Sequence, residues 1–222
     1  MLKRKSKHGA DQTIETRDRI LHVASDLFAS QGFNATTLRE ITEGAGANLA
    51  AVNYYFRSKD ELIVSAIEQA VIPLVAARLQ ALDDCLLNCQ PALPTIEQLS
   101  TALVEPLLEF NRGGNRNRLL LLMQIRPDPA SMHNRVVAKH FKPLHEKFVS
   151  ALEKVLPHLS RPEIAFRYDC ARGATLQSLV ELAPARNLAS GRNTEKSNLA
   201  TDKKLKTALV RFVSAGLTAH SE

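Results

Sequence analysis

The residues best suited to doing chemistry lie between Thr36 and Lys59, and that chemistry is hydrogen bonding to a polyanion rather than bond making or breaking. Thr36 and Thr37 place two hydroxyls at the start of a helical pattern carried by Leu38, Ile41 and Ala45. A helix start presents orphan backbone N–H groups that favour an anion, so both threonines are candidate phosphate ligands. Asn48 is the expected cap of a second short helix over residues 49–55. On it, Ala51 or Val52 and Phe56 should face inward, leaving Leu49, Ala50, Asn53 and Tyr54 outward. Asparagine reads adenine through a bidentate pair, small or aliphatic residues meet a thymine methyl, and a tyrosine hydroxyl suits a phosphate oxygen. Lys59 stands at a third helix start, where a cation is locally unfavourable unless an anion lies beside it. One of Tyr54 and Tyr55 is expected to serve only as a packing wedge.

These groups need elements that present them. Thr37 and Glu40 have the spacing of a capping box, as do Ser58 and Glu61. Gly44-Ala45-Gly46 predicts the turn, because a reversal over three or four residues needs a positive φ that glycine adopts cheaply. Ahead of it, Ile20, Val23, Ala24, Leu27 and Phe28 form one buried helical stripe, ended by Gly32 with Phe33 returning to the core. Helix, turn and exposed second helix make a helix-turn-helix, which sets one helix in the major groove of DNA.

The pattern from Ile20-Leu21 through Ala24-x-x-Leu27-Phe28, Gly32-Phe33, Thr36-Thr37, Ile41, Ala45-Gly46 and Asn53-Tyr54-Tyr55-Phe56-x-Ser58-Lys59-x-x-Leu62 resembles the TetR family of transcriptional regulators. The likeness covers about residues 14–64. The stretch Asn48-Leu49-Ala50-Ala51-Val52-Asn53-Tyr54 looks like a subgroup that includes fatty-acid-responsive members. The commoner version has Ser-Arg-Gly at positions 48–50, so Leu49 implies a different operator. The resemblance implies an all-α fold with a three-helix head over 14–60 and a larger helical domain over 61–222 for effector binding and dimerisation. It also implies a homodimer on a pseudo-palindromic DNA operator, released by a small molecule. The competing readings are a constitutive DNA binder and a helical interaction protein.

The 222 residues suffice for a small head and a domain able to enclose a cavity. The net charge is +6, but residues 1–60 hold nine Lys/Arg against seven Asp/Glu, so charge alone does not locate a DNA face. Lys3-Arg4-Lys5-Ser6-Lys7 is the exception and predicts a flexible basic arm over residues 1–13. No uninterrupted apolar run approaches the length of a membrane span and no apolar segment follows the basic start, so a cytoplasmic protein away from membranes is expected. Cys85 and Cys89 are one helical turn apart without further partners at metal spacing, and read with Cys170 as free thiols. His133, His140 and His145 lack the i, i+4 spacing of a helical metal pair, and no nucleophile elbow, P-loop or dinucleotide fingerprint occurs. Neither enzyme activity, cofactor nor metal is therefore expected.

Beyond Leu62 only helical patterns follow, over residues 61–88, 96–111, 118–126, 131–156, 161–182 and 203–219, with a polar loop over 184–202. Pro73, Pro106 and Pro143 lie inside three of them, each costing about 3 kcal/mol if uncompensated, which suggests bent helices around a space. Leu103, Leu107, Phe110, Leu122, Met123 and Phe141 offer an aliphatic lining, with Arg126 placed to meet an acidic headgroup. With 5% aromatics and no Trp the chain is a poor cage for aromatic cations, so a fatty acid or acyl-thioester is the expected effector. Leu205, Leu209, Phe212, Val213 and Gly216 form a stripe on the last helix. With Leu176 on the helix before, they are the expected dimer contact, as the resemblance implies for the last two long helices.

Overall fold

The computed structural model describes residues 7–112, 116–125, 131–189 and 195–219, with side chains over 15–112, 116–125, 131–179 and 203–219. Among these residues the chain is helical throughout: α1 (Lys7–Gln31), α2 (Leu38–Ala45), α3 (Leu49–Phe56), α4 (Lys59–Asn88), α5 (Ile96–Arg112), α6 (Arg116–Met123), α7 (Met132–Val155), α8 (Arg161–Ala189) and α9 (Glu195–Thr218). The all-α expectation holds. Two boundaries differ. Lys7 already belongs to α1, so the expected arm is cut to the residues before it, which lie outside the described ones. The polar stretch expected as a loop over 184–202 is largely helical, with α8 running to Ala189 and α9 starting at Glu195. Its charged residues interrupt the apolar stripe without opposing helix formation.

The chain divides into two compact units. The first runs to Val71 and takes in Asn117–Ala138; the second comprises Ile72–Arg116 and the chain from Lys139 onward. The first unit is larger than the head expected over 14–60. Leu62, Ile63, Ala66, Ile67 and Ala70 on the first turns of α4 are buried. The α6 segment is fastened to α1: Asn117 Nδ2 donates to Asp26 Oδ1 at 2.9 Å and Gln124 Nε2 to the Ala29 carbonyl at 3.4 Å. Phe33 contacts both Phe28 and His133, with centroids 5.5 and 5.3 Å apart. No periodicity in the sequence announces such contacts across ninety residues.

In the second unit the core is built from Leu99, Leu103 and Leu107 of α5, Leu144, Phe148 and Leu152 of α7, and Ile164 and Tyr168 of α8, all buried. Pro106 and Pro143 stay inside continuous helices. The last helix packs on α5 and α8. Ser214 Oγ donates to the buried Ser100 Oγ at 2.9 Å, and Lys206 pairs with Glu105. Arg167, only 8% exposed, donates through Nη1 to the carbonyls of Leu217 (3.0 Å) and Ala219 (2.6 Å) and through Nε to Glu163. A guanidinium at a helix C-terminus satisfies orphan carbonyls and complements the dipole.

Among the described residues α4 is long and apolar enough, by length and composition, to cross a membrane, although its apolar stretch is interrupted by charged residues. Half of its apolar window is buried inside the chain's own fold. Cys85 and Cys89 are half-buried and Cys170 exposed, all free. Burial, with Cys89 beside it, pushes the Cys85 thiol up from its ordinary range.

Candidate nucleic-acid interface

The first unit builds its presenting surface from short-range devices. Thr37 caps α2: the Glu40 N–H donates to Thr37 Oγ1 at 3.2 Å, while the Thr37 N–H and hydroxyl both donate to Glu40 Oε2 at 2.7 Å. The capping box is complete. The Thr37 N–H, then its hydroxyl, hold the Glu40 carboxyl below its usual range, and the charge of Lys59 adds a smaller pull. Gly46 closes α2 at φ 58°, the left-handed conformation the turn required. Gly44 has a different role from the one expected. It lies inside α2, and a Cβ there would stand 2.8 Å from a methyl of Val23, so glycine is needed for the close approach of α1 and α2.

The next helix starts as expected, with Asn48 Oδ1 accepting from the Ala51 N–H at 2.8 Å. Val52 and Phe56 are buried, which settles the inward face. Leu49 is 52% exposed and Tyr54 77% exposed. Ala50 and Asn53 are exposed too. These four residues occupy one uncovered face of α3. Tyr55 is the wedge: it is half-buried, edge-on to Phe56 at 6.4 Å and to Tyr54 at 5.0 Å.

One expected contact changes. Thr36 is fully buried and its hydroxyl donates to the Gly32 carbonyl at 2.9 Å, so it is a structural lock and not a phosphate ligand. Lys59 is half-buried, and its charge adds the smaller pull on Glu40. Ser58 Oγ caps α4 by accepting from the Glu61 N–H at 3.1 Å. The sequence reading overlooked Arg57. It is exposed, sits between α3 and α4 at φ 63°, and its N–H donates to the Asn53 carbonyl at 3.0 Å. A positive φ in a side-chain-bearing residue costs on the order of 1–3 kcal/mol. The only sequence signal is its place in the one unspecified position of Phe56-x-Ser58. Arg17 lies over the Phe56 ring at 5.2 Å and braces the buried end of α3.

The expected effector residues are divided between the two units. Leu103 and Leu107 are buried at 1% exposure in the second unit. Phe110 and Phe141 are half-buried in the second unit, whereas Leu122 and Met123 belong to the first, Leu122 half-buried and Met123 exposed. Arg126 lies outside the described residues. The expected dimer stripe also splits. Leu205, Leu209 and Val213 are buried within the chain's own fold, because α9 turns them toward α5 and α8. Phe212, 63% exposed, and Gly216 face outward, and Leu176 is half-buried. Phe212 and Gly216 line a groove of about 470 Å³ between α8 and α9 with Phe166, Cys170, Ala174 and others.

A capped helix-turn-helix with an uncovered second helix defines a DNA-binding head of the major-groove type. The comparisons with known proteins agree. Residues 20–66 match the model of bacterial regulatory proteins of the tetR family, and residues 101–216 match the tetracyclin repressor-like C-terminal domain. The chain belongs to the TetR family. The transcriptional repressor NicS of Pseudomonas putida is 37% identical over 68 residues, 31% of this chain and 32% of its own. The transcriptional regulator SrpR of Pseudomonas putida is 29% identical over 151 residues, 67% of this chain and 63% of its own. The chain therefore spans less than two thirds of either relative. A TetR-like regulator from a Rhodococcus species superposes with a TM-score of 0.62 at 22% identity, covering 92% of this chain and 97% of that one. This last likeness shows the fold.

Proposed function

We propose that the protein is a cytoplasmic, homodimeric transcriptional repressor that reads a pseudo-palindromic operator through α3 and is released by a small molecule held in its second unit. The uncovered face of Leu49, Ala50, Asn53 and Tyr54 on a helix capped at its N-terminus carries this reading. Its small and amide side chains permit close approach to base edges. Thr37 and Lys59 fix the head on phosphates, joined by the exposed Arg57. One eight-residue helix reads too few bases for useful specificity, which calls for two copies. The outward row of Phe166, Phe212 and Gly216 supplies the contact between them. The long helix α4 enters both units, and the boundary between them falls beside Pro73, so α4 is the lever and Pro73 its pivot. The effector is aliphatic and acidic, a fatty acid or its thioester.

The test is selection of genomic fragments by the full-length protein, followed by titration of the enriched duplex. Two half-sites about one helical turn apart are expected. Failure to enrich any duplex at low salt would leave the helical interaction protein in its place. Enrichment without release by any small molecule would leave a constitutive DNA binder.

A further inference from the structure

The second unit buries a cation that no described residue neutralises. Arg78, on the part of α4 that belongs to this unit, is 2% exposed. Its Nη2 donates to the Leu103 carbonyl of α5 at 3.2 Å. Its Nε is buried and has no acceptor. Among the described residues no carboxylate pairs with it, and the charge that reaches it from Arg172 is of the same sign. Burial brings the guanidinium down to about 10.

Tyr168 lies close enough for the two groups to sense each other electrostatically. It is 1% exposed, and among the described residues its hydroxyl also has no partner. Its ring stacks on Phe148 at 5.3 Å and meets the edge of His145 at 5.3 Å, so it is not free to turn toward water. Asp169, the carboxylate nearest in sequence, is taken up by Arg172 and His145 at the surface.

Leaving either group unpaired gains no stability. An apolar side chain of similar volume in place of a buried charge is often neutral or stabilising, and an orphan buried hydroxyl costs about 1–3 kcal/mol. Both are donors, and their shared complement is an acceptor-only anion small enough to meet a guanidinium edge and a phenol together, which describes a carboxylate. Leu103, whose carbonyl accepts from Arg78, and Phe148, stacked on Tyr168, are apolar and buried. We infer that Arg78 and Tyr168 form the headgroup site for a hydrophobic carboxylate in the second unit. This rests on the effector-responsive reading above and sharpens it toward the free acid. A thioester carbonyl carries no charge to neutralise Arg78, and the phosphates of a thioester carrier cannot follow the acyl chain into a dry core.

The experiment is calorimetric titration of the full-length protein, without DNA, by saturated fatty acids of medium to long chain. Matched n-alcohols, acyl-thioesters and alkyltrimethylammonium salts are the comparison arms. The acid is expected to bind roughly 10- to 100-fold tighter than the alcohol of the same length. Arg78→Met should abolish that preference while the unliganded protein melts no earlier than the parent. Tyr168→Phe removes one oxygen only, and should weaken the acid several-fold without touching the alcohol; it carries the test if Arg78→Met does not fold. Acids that bind no tighter than alcohols, or a preference that survives in the variants, overturn the inference. So does a lower melting point in Arg78→Met with the preference intact, which makes Arg78 a structural lock on Leu103. Since no DNA is present, these outcomes are separate from failure to select an operator. Release of a selected operator by a neutral or cationic ligand alone sinks the carboxylate site and spares the regulator.

Discussion

The candidate DNA-reading face of the first unit and the interior of the second are held differently. The face is fastened mostly by bonds between near neighbours. Thr37 to Glu40, Asn48 to Ala51 and Ser58 to Glu61 each span three residues, and Thr36 to Gly32 spans four. In the second, Arg78 reaches Leu103 across 25 residues, Ser100 meets Ser214 across 114, and Glu105 meets Lys206 across 101. Among the described residues, the buried side-chain atoms left without partners, on Arg78, Arg116 and Tyr168, all belong to the second unit. On the proposed function this contrast has a reason: a surface that fits a fixed duplex gains from rigidity, whereas a site for a ligand holds its donors open.

The largest expected effect sharpens this contrast. Leu103→Ala truncates a 1% exposed side chain in the second unit and should cost about 2–5 kcal/mol in chemical denaturation. The backbone carbonyl that receives Arg78 is retained. At temperatures where the variant is still folded, its half-site preference should be that of the parent. A changed preference would mean that packing in the second unit sets the geometry of α3, and the contrast would fail.

Phe212→Asp comes next. The side chain is 63% exposed, so the fold of a single chain should be unaffected, while a buried aromatic anchor in an interface is worth on the order of 2 kcal/mol or more. Sedimentation should show monomers, and operator affinity should fall with them. An unchanged sedimentation coefficient removes the α8–α9 groove from the dimer contact.

How much of this was legible in the sequence follows the same division. The caps, the Gly46 turn and the exposed face of α3 were readable because their causes are three or four residues apart. Thr36 was misread for want of one long-range fact: nothing local says that the chain around it is covered. Gly44 was misassigned for the same reason, since its constraint is a methyl of Val23 on another helix. On α9 the stripe was seen, but its width hid two faces, with Leu209 inward and Phe212 outward. Arg78 gave no signal at all, because an arginine within an apolar run reads as a solvated edge until burial is known.

Within the first unit, the base and phosphate roles are separable. Asn53→Ala should relax preference at one operator position by roughly 1–3 kcal/mol, measured by selection from randomised duplexes. Lys59→Gln should weaken all sequences alike and lower the slope of log affinity against log salt by about one per head. Lys59 already has Glu40 within electrostatic reach, so an unchanged slope would assign it to Glu40 rather than to phosphate.

The smallest effect tests whether the local bonds hold the head. Thr37→Ala removes the hydroxyl that caps α2 and should destabilise the protein by about 1 kcal/mol. The partner carboxylate adds a pH dependence with a definite sign. Glu40 accepts from the Thr37 N–H and hydroxyl, which depresses its folded pKa below the ordinary glutamate range near 4.5. The stabilisation is therefore complete above that range and drains away as pH falls below it, when the proton taken up by the folded state removes the charge of the acceptor. Stability of the parent should decline on acidification more steeply than that of Glu40→Gln, whose amide is an uncharged acceptor at every pH. The two curves should converge below the folded pKa of Glu40. Parallel curves across this window would show that the box contributes geometry without electrostatic stabilisation, and that the first unit leans on its buried core as much as the second does.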